Sequence, residues 1–412
     1  MGKLACWGVG TQGGRLTYFT FNPKLRFLGF AGLGRHGGAL LLEEKDELGV
    51  ALRKLVVKYS LGELSNDIYR NSDDDLRNEH GWLSMLRGSE HIVKLVDLAD
   101  TSIALPGVSN GEDDEVDTFA GSFMGLLMGA AGVSPPPVAA PAPPPAPTGP
   151  QRPRRKCPTF ALEYLEGGTL RNFQERAANA GTWIPNRLLW KIWLCMVRQC
   201  VAMAYPPNIP DDSYHGQEHR ERIIPDEQIY GLTQNSGHLD NFLFGSQSSQ
   251  LDIEHGAVPI LKLIDFGRGR VEDPDPELAE PYEYGSKANL WSAAYAMSDV
   301  CCLFGEEDEV LQTDPPELYF FQVNGRYHSV LSDAPKALTE HVYIDLVLRD
   351  MLVRCMANDM DEIPALHLVL QATEESVAAR GPYDNLALAN SMQVEETDAY
   401  IRQFVQNFIF NP

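Results

Sequence analysis

The sequence predicts an α+β protein, a small antiparallel β region with one key helix followed by a larger, mainly α-helical region. Apolar runs of strand length, broken by glycine turns, fill residues 16–59, as neighbouring antiparallel strands require. Farther on, Asn186–Ala204 carries Leu189, Ile192/Trp193, Met196/Val197 and Cys200/Val201 at helical spacing, which reads as a long buried helix. Two short apolar runs beyond it, within 232–245 and 261–267, each adjoin a polar loop.

At 412 residues the chain has room for one large two-lobed domain or two medium ones, and its 44% hydrophobic content is that of a globular protein. A formal net charge of -23 argues against a general nucleic-acid binder, because a phosphate backbone is repelled over most of such a surface. Seven scattered cysteines without paired metal-type spacing suggest a reducing compartment, and Cys301-Cys302 read as part of a buried helix. No charged-then-apolar leader opens the chain, so the expectation is a cytoplasmic protein, with the nucleus as the alternative. Residues 119–133 are apolar and carry Gly121, Gly125 and Gly129, but the stretch is shorter than the roughly twenty residues of a spanning helix. It reads as an insert, with membrane contact the lesser alternative.

In chain order, Gly32, Gly34 and Gly37 lie between two apolar runs and form a glycine-rich hairpin. Without side chains, such a turn can lie close over phosphates and offer backbone N–H groups. A dinucleotide-binding fold could use the same letters, but it needs a helix at once; here 39–42 continues as a strand, turns through 43–49 and returns over 50–59. The return strand carries Lys54 and Lys58. Residues 75–86 follow with Leu76, Trp82/Leu83 and Leu86 on one helix face, and with Glu79. Residues 91–95 read as the next strand. From 99 to 158 the composition shifts to an acidic run, the glycine-studded stretch and a proline–alanine run over 135–150, which favours extended, solvated chain. The basic run 152–156 ends it, read as a solvated linker end rather than a nuclear-import or phosphate-binding signal.

Order resumes with a strand over 160–165, then Gly167-Gly168 and the opening of a helix. After the long helix and a polar detour over 206–231 come the two loops that organise the chain. Asn241 and Asp265 stand 24 positions apart, each beside an apolar strand, and their amide and carboxylate oxygens suit a magnesium held on a nucleotide's phosphates. Apolar helical patterns follow near 289–297, 348–359 and 397–410, the last with Ile401, Phe404/Val405 and Phe408 on one face.

These motifs resemble the protein-kinase-like family over residues 27 to about 377. The resemblance implies a bilobal fold, an N-lobe over 1–165 with the insert 99–158 and a C-lobe over 166–412. It implies ATP and Mg²⁺ as ligands. Gly32, Gly34 and Gly37 take the phosphate-covering loop, Lys58 the lysine that grips the phosphates, and Glu79 its helix partner; Lys54 is a nearby competitor. Glu163 and Leu165 take the hinge positions whose backbone bonds the adenine edge, with Leu162 behind them. Asn241 and Asp265 become the metal ligands, Asp265 heading Asp265-Phe266-Gly267.

The catalytic positions depart from the pattern. Counting back from Asn241 places Ser236 where the family carries its catalytic aspartate, in Gln234-Asn235-Ser236, and His238 where a phosphate-contacting lysine stands. The rival register at His215-Gly216-Gln217 has Arg222, not Asn, five residues later. A serine hydroxyl is too weak a base near neutral pH, and loss of a general base costs about 10²–10⁴-fold in rate. Asn235 replaces the arginine that reads a phosphorylated activation loop. Asn289 stands at a usual aspartate, Ile363 at a usual ion-pairing arginine, and the segment from Gly267 to Asn289 is short, with Ala279-Glu280-Pro281 a scrambled echo of the docking element. The expectation is an ATP- and Mg²⁺-binding pseudokinase with weak or absent transfer, working through a protein partner. The alternative is an active phosphotransferase on a Ser/Thr protein substrate or a small hydroxyl substrate, and a weaker third is a regulator that binds no nucleotide.

Overall fold

The computed structural model describes residues 24–33, 37–60, 72–98, 159–209, 214–246, 252, 254–271, 281–303, 315–323, 326–382 and 395–411. The strand expected near 16–21, Gly34, the insert 99–158 with its basic run, and Ala279-Glu280 lie outside these. The chain is α+β and divides into two compact units, residues 1–80 with 95–164, and residues 81–94 with 165–412.

The first unit holds a four-stranded antiparallel sheet in the order β1 (Leu25–Leu33), β2 (Gly37–Lys45), β3 (Ala51–Ser60) and β4 (Thr159–Glu163), with the part of helix α1 (Ser72–Met85) up to His80 entered between β3 and β4. Alternation builds its core: Leu40 and Leu42 on β2, and Leu55, Val57 and Tyr59 on β3, are buried with Leu25 and Ala161. The β2–β3 turn is shaped by its own residues. Asp46 Oδ1 accepts the N–H groups of Leu48 and Val50 at 2.9 and 2.8 Å, and Gly49 takes φ +79°, a conformation glycine adopts without steric cost. Three aspartates, Asp73, Asp74 and Asp75, occupy the first turn of α1, where carboxylates oppose the helix dipole favourably.

The second unit holds α2 (Leu170–Asn179), α3 (Asn186–Ala204), the short strands β5 (Leu232–Thr233), β6 (Phe242–Phe244), β7 (Leu261–Leu263) and β8 (Arg270–Val271), and α4 (Pro281–Cys302). A hairpin of β9 (Glu317–Val323) and β10 (Arg326–Ser332) follows, then α5 (Lys336–Glu340), α6 (Leu346–Cys355), α7 (Leu366–Ala379) and α8 (Asp398–Val405), which passes into a π turn over Gln406–Phe410. Helix α3 is buried nearly all round, as a helix apolar on every face must be, and packs against α4 and α7. Cys301 and Cys302 are buried at the end of α4, as their surroundings predict. Among the described residues no helix is long and apolar enough to cross a membrane.

One expectation is corrected. Residues 91–95 do not form a strand; Ile92 makes an isolated bridge to Leu263 and Leu95 another to Leu162, and β4 fills the fourth place in the sheet. Residues 81–94 fall in the second unit. The reason is local bonding: Val93 N–H donates to Leu263 O at 3.0 Å, Leu263 N–H to His91 O at 2.9 Å, and His91 is buried among side chains of the second unit.

Candidate functional site

In the first unit, β3 turns Leu55, Val57 and Tyr59 into the core, leaving Lys58 to the opposite face. Lys58 Nζ lies 2.6 Å from Glu79 Oε1, with the side chains 18% and 3% exposed. Glu79 is therefore a buried carboxylate paired with a cation. Ser60 Oγ donates to Asp73 at the start of α1, tying the end of β3 to the helix that carries Glu79. Lys54, the competing lysine, is exposed over the Tyr164 ring at 5.5 Å. Gly32 pairs with Ala39 and has open space where a Cβ would stand, while Gly37 opens β2 opposite Ser60. Glu163 ends β4 opposite Leu55.

In the second unit, Leu165 is buried, and its backbone N–H has no hydrogen-bond partner among the described residues. Strands β6 and β7 pair antiparallel with Phe242 opposite Leu263, and Ile264 N–H donates to Asn241 O at 2.9 Å. That register puts Asn241, just before β6, and Asp265, just beyond β7, at the same end of the ladder.

Asn241 is 4% exposed and closes a 3₁₀ turn over Leu239–Asn241. Its Nδ2 donates to Ser236 O at 2.6 Å and Ser236 Oγ at 3.0 Å, and lies 3.2 Å from His238 Nε2. Its Oδ1 consequently has no donor among the described residues. Asp265 takes φ +63°, where a non-glycine residue is uncommon and aspartate is among the better tolerated. Its carboxylate accepts one long bond, from Gly267 N–H at 3.3 Å. Gln234 joins the two loops: its Nε2 donates to Asp265 O at 2.8 Å, its Oε1 accepts Ser236 N–H at 2.8 Å, and its own N–H donates to Asn289 Oδ1 at 3.2 Å. Asn289 Nδ2 in turn donates to Leu232 O at 2.7 Å. Beyond Asp265, Trp82 Nε1 donates to Gly269 O at 2.9 Å, and a Cβ at Gly269 would meet the Trp82 ring at 2.8 Å.

His238 Nε2 lies 3.2 Å from Asn241 Nδ2, and its Nδ1 lies 3.5 Å from Asp240 Oδ2. The His238 hydrogen bond, with Arg171 Nε at 2.7 Å, outweighs burial and holds the Asp240 carboxyl below its usual range. Ser236 is left as a half-buried hydroxyl accepting from Asn241. Two oxygens open to a hard cation therefore stand beside a loop that offers no carboxylate base at position 236.

Sequence spacing gave no sign of a second cluster in this unit. His91, Cys195 and His255 are fully buried and present ligand atoms within 4.8 Å of one another, with Glu221 beside them. Burial lowers the His91 pKa, but the Glu221 carboxylate and Cys195 outweigh it and raise it; burial raises Cys195, but His255 and His91 outweigh that and lower it. No family model and no curated protein matches this chain.

Proposed function

We propose that this chain is a protein-kinase-like domain that binds ATP with Mg²⁺ and transfers phosphate weakly or not at all, acting through a protein partner. The observation that carries the reading is the pair Asn241 and Asp265, set at one end of the β6–β7 ladder with an amide oxygen and a carboxylate that the protein leaves open. Hard oxygen donors of this kind suit Mg²⁺, which is typically held by one or two protein side chains while phosphates and water fill the remaining positions. The Lys58–Glu79 ion pair supports the same reading, because a lysine fixed by a buried carboxylate is pre-positioned to grip a phosphate. The open Leu165 N–H is a donor suited to an adenine edge. The Gly32 and Gly37 backbone supports a phosphate-covering turn. Ser236 accounts for the expected loss of transfer, since nothing at that position accepts a proton near neutral pH.

Titration of a fluorescent ATP analogue with Mg²⁺ tests the reading. Lys58→Ala removes a charge-assisted bond worth about 1.5–3 kcal/mol and should weaken binding by about 10–150-fold. That variant also removes the Lys58 cation from beside the buried Glu79 carboxylate, so Lys58→Ala with Glu79→Gln is the matched control, and it should bind as weakly while keeping the wild-type far-UV spectrum. Undiminished binding in both variants contradicts the assignment.

A further inference from the structure

We infer that His91, Cys195 and His255 form a zinc site with three protein ligands, independent of the nucleotide reading. The three ligands come from distant parts of the chain: the stretch after α1, the middle of α3 and the loop before β7. Imidazole with thiolate is the donor set of zinc rather than of Mg²⁺ or Ca²⁺, which take oxygen.

The hydrogen bonds around His91 orient it as a ligand. Glu221 Oε1 accepts the His91 backbone N–H at 2.7 Å and Oε2 lies 2.6 Å from Nδ1. A carboxylate only accepts, so Nδ1 carries a proton, and Nε2, which faces inward, is the nitrogen left to bind a metal, any proton on it being released on binding. This is the carboxylate–histidine arrangement that fixes metal-binding imidazoles. Arg198 Nη1 donates to Glu221 O at 2.6 Å and holds the glutamate in place. His91 Nε2 then faces His255 Nε2 at 3.2 Å. Ligands at zinc bond lengths in a tetrahedral site stand roughly 3.3–3.6 Å apart; the two nitrogens, at 3.2 Å, are close to that separation, and the Cys195 sulfur, within 4.8 Å of both, closes the remaining gap on binding. His255 lacks the same support, since its Nδ1 has no partner among the described residues, which makes His91 the firmer ligand.

Charge balance favours the ion. Zinc binding releases the Cys195 thiol proton, and the thiolate with the Glu221 carboxylate then neutralises Zn²⁺ inside a region that excludes water. The overlapping set Glu90, His91 and Glu221 is the poorer candidate. It would need Nδ1, already committed to Glu221, and Glu90, which pairs with Arg220 at 3.0 Å. The rival explanation of the same geometry is a metal-free hydrogen-bonded chain from Glu221 through both imidazoles to the thiol.

The full chain, purified without chelator or metal-affinity resin and equilibrated with Zn²⁺, should retain one equivalent of zinc after gel filtration. X-ray absorption at the zinc edge should show two imidazole nitrogens and one sulfur. Cys195→Ser should remove the sulfur, and Glu221→Gln should weaken zinc by about 10–100-fold against a chromophoric chelator. If Cys195→Ser does not fold, the wild-type absorption spectrum decides alone. A folded wild-type chain that retains no zinc, or a zinc shell without sulfur or without imidazole, overturns the site in favour of the metal-free chain.

Discussion

Replacing Ser236 with Asp is expected to raise phosphate release from Mg·ATP by about 10²–10⁴-fold, the range that a positioned general base contributes. The site is prepared for a carboxylate. Asn241 Nδ2 already donates to Ser236 Oγ at 3.0 Å, and Gln234 Oε1 fixes the Ser236 backbone N–H, so the longer side chain enters a loop whose backbone is held from both sides. A serine hydroxyl cannot take a proton from an attacking oxygen near neutral pH, whereas an aspartate can. Ser236→Asn matches the shape without the basicity and should stay at the wild-type rate. The readout is ADP release with water, a serine-containing peptide or the chain itself as acceptor. Equal rates for the Asp and Asn variants would remove the missing base as the reason for weak transfer. A fast wild-type chain would instead favour the active phosphotransferase.

Arg198→Ala is expected to cost about 3–5 kcal/mol of stability, the usual consequence of breaking a buried ion pair from one side. Arg198 is 4% exposed on the central helix α3. Its guanidinium meets both Glu254 oxygens at 2.8 and 2.6 Å, Glu374 Oε1 at 2.8 Å and Glu221 O at 2.6 Å. Glu254 is itself 12% exposed and keeps a longer pair to Arg220 at 3.3 Å, so truncation removes its two-pronged cation rather than every partner. The half-exposed Glu374 contributes less, because solvent screens it. Burial opposes the Arg198 charge, but the Glu254 hydrogen bonds and the three carboxylates outweigh it and raise its pKa further. Arg198→Lys keeps the charge and loses the planar fork, so it should fall between wild type and Ala. Denaturant unfolding followed by tryptophan fluorescence measures the series. A loss below about 1 kcal/mol for Ala would place Arg198 among surface pairs.

What the sequence made legible follows from how local each signal is. Helix α3 is read in full because its apolar spacing runs unbroken over 19 residues. Lys58 is preferred over Lys54 because it follows the apolar run, and the same alternation turns it away from the core and toward Glu79. Residues 91–95 mislead because Ile92, Val93 and Leu95 look like a strand, while their burial comes from isolated bridges and from the unit around His91. The β9–β10 hairpin goes unread although Asn324-Gly325, a strong two-residue turn signal, stands between two runs of aromatic and β-branched residues. The His91, Cys195, Glu221 and His255 cluster could not be read at all. Its members lie 104, 26 and 34 positions apart in order, and metal signatures are recognised by short spacings that this site does not use.

The central claim is that Asn241 and Asp265 hold Mg²⁺ on ATP, and thermal stability in ATP with and without Mg²⁺ tests it most directly, on wild type and Asp265→Asn. A ligand that binds only the native state adds about 2.7 kcal/mol at a hundredfold excess over its dissociation constant. The account predicts a rise in melting temperature that needs both ATP and Mg²⁺ and that Asp265→Asn abolishes. No rise in the wild type, or an equal rise in Asp265→Asn, would contradict it.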